Sequence, residues 1–406
     1  MNGSLLFPRM SIFLLPVILF FYYFGNFFWF FDDTSLNANI RALVIFLAIV
    51  GGVSYSPVFF NGSFFSKIKS NKLFLIVFLF LSYASINSFL ILEDMKMARR
   101  SLLVFSFVFI IGFSFFEKCT WELFLRALAI SSFGFALFSL INMYRIDALP
   151  TGYRMGGISV SGVEGVADFG NTIIAAMHYA MGFTAALYLF FTETNKYKLV
   201  FWVMTLGTLS LYIILTFSRA GWLACLIPLV IMTLFLYDNK KKVRWFVLFS
   251  FLFCVLSFFV TVYLNYEVGQ RGLTHRDEIW LTVISRMPGS WLFGHGAGAN
   301  IEPILVAGTT YVNNSHNVYL EVLYKLGLVG VLFFVGVLIF SIYILYKNRE
   351  HYKYGSIAVY WLSVLCSSAV VMTVELNELI HTPNMLWHWF WMPVAFAILV
   401  DREKYE

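Results

Sequence analysis

The stretch NNSHNVYLEVLYKLGLVGVLFFVGVLIFSIYILY, residues 313–346, begins with five polar residues and continues as one long apolar run. A helix that crosses a bilayer needs about 20 largely apolar residues, and its backbone groups must be satisfied within the segment. The run 317–346 is longer than one crossing requires. We therefore expect a membrane helix whose first turns stand above the lipid, with His316 at its start.

Apolar runs of this kind recur along the 406-residue chain. Hydrophobic residues make up 60% of it and charged residues only 12%, too few to cover the surface of a soluble domain. The sequence predicts an all-α integral membrane protein with about twelve transmembrane helices. The predicted spans are 11–31, 42–60, 73–92, 101–116, 122–143, 171–192, 199–217, 222–237, 245–264, 317–346, 355–374 and 385–400.

Positive charges indicate the orientation of these spans. An even number of spans puts both termini on one side, and the short loops on that side are rich in lysine, which marks the cytoplasm. We expect a single polytopic membrane domain over 1–406 with both termini cytoplasmic. The opposite side carries a shorter loop, 144–170, and a main loop, 265–316, where functional residues are expected. The lysine-rich loops are 61–72, 193–198, 238–244 and 347–354.

Lysine and arginine are distributed differently between the two faces. Only Lys96 and Lys325 among the lysines lie toward the outer side. A guanidinium binds phosphate or carboxylate through two parallel hydrogen bonds. Arginines on the outer side therefore indicate an anionic, phosphate-bearing ligand. The alternative is that single arginines snorkel at the interface. The outer arginines are Arg41, Arg99, Arg100, Arg145, Arg154, Arg219, Arg271, Arg276 and Arg286.

Two of these arginines have local arguments of their own. Arg219 lies in FSRAGW, a polar break between two apolar runs, where Gly221 is expected to loosen the backbone. A charged side chain so near the hydrocarbon is a functional candidate. The alternative is a structural ion pair. Arg276 begins a predicted amphipathic helix, capped by Thr274 with Asp277, whose amides and dipole would suit an anion. The alternative is a solvated arginine at a helix start, and Arg271 is a weaker candidate for the same role.

His316 is the candidate general base. With Ser315 or Asn314 as the helix cap, the histidine would lie in the first turn, where the positive helix end favours a neutral imidazole that can accept a proton. Asn317 would orient the substrate or the ring. The spacing of Gly327 and Gly330 predicts close approach of a neighbouring helix. The alternative is a polar interfacial histidine without a catalytic role.

The remaining polar segments give weaker signals. FGHGAGAN, residues 293–300, does not follow a strand and is predicted to be a turn. Glu375 and neighbouring acidic and histidine residues are expected to pair with outer arginines. The glycine-rich loop 152–170, which contains Arg154, is expected to face the substrate. No metal-ligand spacing and no disulfide framework is present among the histidines and cysteines.

The pattern resembles the O-antigen ligase/polymerase superfamily, and most closely the O-antigen ligases. The resemblance rests on SRAGW at 218–222, RDEIW at 276–280, LFGHGAG at 292–298, and His-Asn at 316–317 followed by LEVLYKLGLVG. It covers mainly residues 200–346. It implies a GT-C-type glycosyltransferase in the bacterial inner membrane, with its active site facing the periplasm.

The resemblance also implies substrates and roles. The donor would be a glycan on undecaprenyl diphosphate and the acceptor a sugar hydroxyl of lipid A-core. His316 would be the base of a metal-independent, inverting transfer, with Arg219 and Arg276 on the diphosphate. No cofactor and no nucleic acid is expected, and the other partners are membrane lipids. Further candidate substrate-binding residues are Arg271, Asn317, Arg154, Arg145, Arg99 and Arg100.

Two other functions stay open at this point. A polysaccharide polymerase would have the same histidine and arginines but would use a second lipid-linked repeat as acceptor. A lipid-glycan flippase or other transporter would place polar or broken helices near the bilayer midplane, whereas these charges lie at the outer ends of the spans. The dominance of one outer loop favours the ligase.

Overall fold

The computed structural model describes residues 23–25, 27, 70–113, 118–146, 166, 167, 169, 171–236, 275–306, 308 and 310–403. The predicted spans 11–31, 42–60 and 245–264 lie wholly or largely outside these residues. So do Arg154, Arg271, Thr274 and most of the loop 144–170.

The described chain is mainly helical, and each predicted span that falls on it contains a helix. Among the described residues, five helices are long and apolar enough to cross a membrane, and two more are apolar but shorter. The protein is therefore a multi-pass membrane protein. The elements are α1 (Lys72–Leu92), α2 (Lys96–Phe113), α3 (Lys118–Arg145), α4 (Thr172–Thr192), α5 (Lys196–Leu215), α6 (Arg219–Phe235), α7 (Arg276–Ser285), β1 (Ile304–Val306), β2 (Thr310–Val312), α8 (Val318–Lys347), α9 (Gly355–Val371), a π-helical turn (Trp387–Trp391) and α10 (Met392–Glu403).

Short polar side chains start many of these helices. Asn71, Asn171, Asn195 and Ser218 each accept a hydrogen bond from a backbone N–H in the first turn of α1, α4, α5 and α6. A helix leaves its first amides without partners, and a side-chain oxygen at the N-cap satisfies one of them. The cap residues thus define where each of these helices begins.

The chain divides into two compact units. The first comprises the described parts of Met1–Val58, Ser114–Glu267 and Arg349–Ser367. Its centre is α4, which is buried from Ala175 to Phe191 and packs against α3, α5 and α6. A side chain at Gly221 of α6 would overlap Ala176 of α4. The glycine is therefore required by close helix packing rather than by the loosened backbone expected from the sequence.

The second unit comprises the described parts of Phe59–Phe113, Val268–Asn348 and Ser368–Glu406. Here α1 packs against α2 and α8, and α10 packs against the same two helices. The strands β1 and β2 form an antiparallel hairpin that pairs Ile304 with Val312 and turns near Gly308, whose φ is +71°. This small hairpin was not expected in a chain predicted to be all-α.

The helix α8 is broken at Gly327, where φ is +66° and ψ is −169°. The loop 291–296 supplies the hydrogen bonds that the break removes: the amide of Leu328 donates to the Trp291 carbonyl at 2.8 Å, and the amide of Gly296 donates to the Lys325 carbonyl at 3.0 Å. A side chain at Gly327 would overlap the Leu292 carbonyl. The prediction of a helix packed at this glycine was therefore wrong, because a loop occupies the place. The predicted turn at 293–300 is confirmed.

Candidate active site

Arg276 is the first residue of α7, a short helix that buries one face but also exposes the apolar Leu281 and Ile284. Ile279 and Val283 are buried on one face and pack against Ile301 and Leu320. The N-cap is His275, whose side chain makes no capping bond, so the expected capping box does not start this helix. Asp277 and Glu278 lie in the first turn, where their negative charges offset the positive helix end.

His316 lies immediately before α8. The cap of α8 is Asn317, whose side-chain oxygen accepts the Leu320 amide at 3.1 Å, so the expected cap at Ser315 or Asn314 was wrong. His316 consequently precedes the cap instead of lying in the first helical turn. Its φ is +49°. Because the side-chain oxygen of Asn317 accepts the bond from the Leu320 amide, the side-chain amino group of Asn317 is the part left for other contacts.

The backbone on either side of His316 is held by neighbouring elements. The Ser315 hydroxyl accepts the Asn317 amide at 3.2 Å and donates to the Asn317 carbonyl at 2.7 Å. The indole N–H of Trp280, on α7, donates to the Ser315 carbonyl at 2.9 Å. The helix that carries Arg276 is therefore fixed to the segment that carries His316.

Glu375 comes from the segment that follows α9. The Val318 amide donates to the Met372 carbonyl at 2.9 Å, and the Tyr319 hydroxyl donates to the Ala369 carbonyl at 2.9 Å. These two bonds hold the end of α9 against the start of α8. As a result, Glu375 lies beside His316.

The three side chains meet at one carboxylate. Nη2 of Arg276 lies 2.5 Å from Oε2 of Glu375, and Nδ1 of His316 lies 3.0 Å from Oε1. The Glu375 side chain is 11% exposed, that of Arg276 22% and that of His316 32%. The anion is thus the most buried member, and the imidazole is the most accessible to a substrate. This is the arrangement expected of a base that is oriented by a carboxylate.

Left-handed backbone conformations accompany all three members of the site. His275 has φ +58° next to Arg276, His316 itself has φ +49°, and Leu376 has φ +73° next to Glu375. Non-glycine residues in such conformations cost about 1–3 kcal/mol each and cluster at functional sites. The surrounding hydrogen bonds therefore hold this geometry against a local preference for other conformations.

A second polar cluster lies one turn further along α8. Nζ of Lys325 is 2.6 Å from Oε1 of Glu321, whose other oxygen accepts the Glu378 amide at 3.2 Å. Glu321 and Lys325 thus form an i,i+4 ion pair on α8. Nε2 of His381 lies 3.2 Å from Oε2 of Glu378. Burial lowers the pKa of His381, and the cations Arg100 and Lys325 act in the same direction, whereas Glu378 opposes them.

This cluster borders a shallow, solvent-open cleft. Its apolar walls include Met97, Leu326 and Ile380, and its charged residues include Arg100. Within the described part of the chain, Arg100 forms no ion pair or hydrogen bond through its side chain. An available guanidinium in an apolar-walled cleft suits an amphiphilic ligand with an anionic or hydroxyl-rich end.

The other predicted site residues are spread over both units. Arg219 is exposed in the first unit, at the start of α6 beside its cap Ser218. Arg145 is exposed at the end of α3, and Arg99 is exposed on α2. Arg154 and Arg271 lie outside the described residues. In the described segments, no group of three or more His, Cys, Asp or Glu residues is placed to hold a metal ion.

Sequence reasoning identified part of this site. It proposed that Glu375 pairs with an outer arginine, and Arg276 is that arginine. It did not identify the bond from Glu375 to His316, which depends on how the end of α9 packs against α8. A usable signal was the acidic segment VELNEL, 374–379, directly after an apolar span.

One segment of the chain is similar to known proteins. Residues 199–335, which include Arg219, Arg276 and His316, match a family model described as O-antigen ligase. A curated relative, an O-antigen ligase of Pseudomonas aeruginosa, is 29% identical over 140 residues. That similarity covers 33% of this chain and 33% of the length of the relative. These matches show that residues 199–335 of this chain are similar to O-antigen ligases.

Proposed function

We propose that the protein is an O-antigen ligase that acts in lipopolysaccharide biosynthesis. It transfers a glycan from undecaprenyl diphosphate to a sugar hydroxyl of lipid A-core at the periplasmic face of the inner membrane. The observation that carries the proposal is the placement of His316 and Arg276 on the two oxygens of one buried carboxylate. In this arrangement the imidazole can take the proton of the attacking hydroxyl. The guanidinium can bind the diphosphate that leaves in the same displacement.

In the proposed reaction His316 is the general base. It takes the proton of the acceptor hydroxyl while the hydroxyl oxygen attacks the anomeric carbon of the donor. The bond from that carbon to the diphosphate oxygen breaks, and undecaprenyl diphosphate leaves with the electron pair. One displacement inverts the anomeric configuration. The diphosphate is already a stabilised anion, so the step needs neither an acid for the leaving group nor a metal or cofactor.

The arginines bind and offset the leaving group. Guanidinium carries five N–H donors, and the contact of Arg276 with Glu375 uses one of its nitrogens, so the others remain for a phosphate. Arg219 is proposed to act on the same diphosphate. Fixed charges aimed at a developing anion supply much of enzymatic rate acceleration. The proposed substrate-binding set is Arg271, Asn317, Arg154, Arg145, Arg99 and Arg100.

The membrane arrangement fits this reaction. Both substrates are lipid-anchored, so an enzyme that joins them needs its site at a membrane surface. The lysine-rich loops are proposed to be cytoplasmic, which would place α7, the hairpin and His316 on the periplasmic side. A GT-C-type helical scaffold of about twelve spans is part of the same proposal.

Transfer by the purified protein tests this function. The protein in nanodiscs is given undecaprenyl-diphosphate glycan with and without lipid A-core, and products are separated by size. Glycan attached to the core, lost in Arg219→Ala, supports the ligase. Longer lipid-linked chains formed without core identify a polymerase. In a parallel experiment the protein is reconstituted in sealed vesicles, where glycan that reaches the far leaflet without any chemical product identifies a flippase.

A further inference from the structure

We infer that Glu375 is a positioning residue that holds His316 in the tautomer and orientation required of a base. The inference rests on the proposed function for its kinetic consequence but not for its geometry. Oε1 of Glu375 lies 3.0 Å from Nδ1 of His316, and the carboxylate is 11% exposed. Glu375 would thus act through the histidine and would not contact the substrate.

The chemistry of the contact decides the tautomer. An ionised carboxylate has lone pairs and no proton, so it only accepts hydrogen bonds. The imidazole must therefore carry its proton on Nδ1 and donate it to Glu375. In the neutral ring the lone pair then lies on Nε2, on the opposite edge from Glu375. This is the nitrogen that is left to accept a proton from a hydroxyl.

Arg276 fixes the other half of the carboxylate. Its Nη2 binds Oε2, so both oxygens of Glu375 are engaged, and the carboxylate plane cannot rotate without breaking a charged bond. The guanidinium also offsets the charge of the buried carboxylate. Removing Arg276 should therefore disturb the base as well as any phosphate that the arginine binds.

The carboxylate also stabilises the state formed during transfer. When Nε2 takes the acceptor proton, the ring becomes an imidazolium cation next to the Glu375 anion. The attraction between these two opposite charges offsets the positive charge that the ring gains.

The tautomer can be measured on the unaltered protein. Histidine labelled with ¹⁵N is observed in nanodisc-embedded protein, and His316 is identified as the signal missing from His316→Gln. We expect neutral His316 to be protonated on Nδ1 and unprotonated on Nε2. Protonation on Nε2 overturns the inference. This result does not depend on any transfer activity, so it stands apart from a failure of the proposed function.

The kinetic consequence is measured on Glu375→Gln, with the exposed Glu302→Gln as the matched substitution on the same unit. We expect kcat of Glu375→Gln to fall about 100-fold with little change in KM, and the ¹⁵N signal of its His316 to lose the preference for protonation on Nδ1. A purely structural role would reduce the active fraction without changing the tautomer. An unchanged kcat, or a fall with an unchanged tautomer, overturns the inference.

Discussion

Arg276 and His316 share one carboxylate: Nη2 of the arginine is bound to Oε2 of Glu375, and Nδ1 of the histidine lies 3.0 Å from Oε1. Three different elements supply these side chains. The Trp280–Ser315 bond holds the first two together, and the Val318–Met372 bond brings in the third. The proposed base and one proposed phosphate ligand are therefore held by the same set of contacts.

Replacement of Arg276 should slow glycan transfer strongly, although the arginine does not itself take the proton of the acceptor hydroxyl. We expect Arg276→Ala to lower kcat/KM about 100-fold, since it removes a guanidinium from the leaving group and frees the Glu375 carboxylate. Arg276→Lys should recover part of this loss because it restores the charge without the planar fork. Arg286→Lys, at the other end of α7, is the control. Equal activity of Arg276→Ala and the control would contradict the assignment.

Arg100 should affect binding and not the chemical step. Its guanidinium lines the cleft beside α8. Arg100→Gln is therefore expected to raise the KM of one lipid-linked substrate about 10-fold while kcat stays unchanged. That is the result of losing a contact that is equally strong in the ground state and in the transition state. Lys96→Gln removes an exposed charge from the same helix and serves as control. A fall in kcat at unchanged KM would argue against a binding role for this cleft.

Gly327 should be required for folding of the second unit. Its φ of +66° and ψ of −169° are essentially restricted to glycine, and a methyl group would overlap the Leu292 carbonyl. We expect Gly327→Ala to destabilise the protein by about 3 kcal/mol or more, measured as a lower melting temperature in detergent. Gly336→Ala in the same helix meets no atom within 4 Å and should be neutral. Similar melting temperatures for the two variants would contradict the broken-helix geometry.

His381 should make stability depend on pH. Burial lowers the pKa of His381 in the folded protein, so the unfolded chain binds the proton more readily. Stability should therefore fall as the pH drops through about 6.5, the ordinary value for the unfolded side chain. In His381→Gln, whose amide can still donate to Glu378, the melting temperature should fall less over the same range. Identical acid sensitivity of the two proteins would remove His381 as a cause.

The sequence predicted the membrane helices well because length and hydrophobicity decide them. It also singled out Arg276 and His316, because a charge or an imidazole at the end of an apolar run is unusual. Cap positions were less predictable: with several polar residues in a row before α8, local preference did not distinguish Ser315 from Asn317, and the chain conformation at His316 decided between them.

Long-range contacts could not be derived from local pattern. The bond between Glu375 and His316 depends on α9 ending against the first turn of α8, and nothing in either segment specifies that partner. The break at Gly327 likewise depends on the loop 291–296, which reads in the sequence only as a glycine-rich turn. Periodicity identifies a face of a helix, but it does not identify what lies against that face.

The most direct measurement is single-turnover transfer of glycan from undecaprenyl diphosphate to lipid A-core by the wild-type protein and by His316→Gln. His295→Gln, in the loop packed on α8, carries the same substitution outside the proposed site. We predict that the wild type and His295→Gln form glycan-bearing core, and that His316→Gln is slower by about 100-fold or more with donor still bound. Transfer by His316→Gln at the wild-type rate would contradict the account.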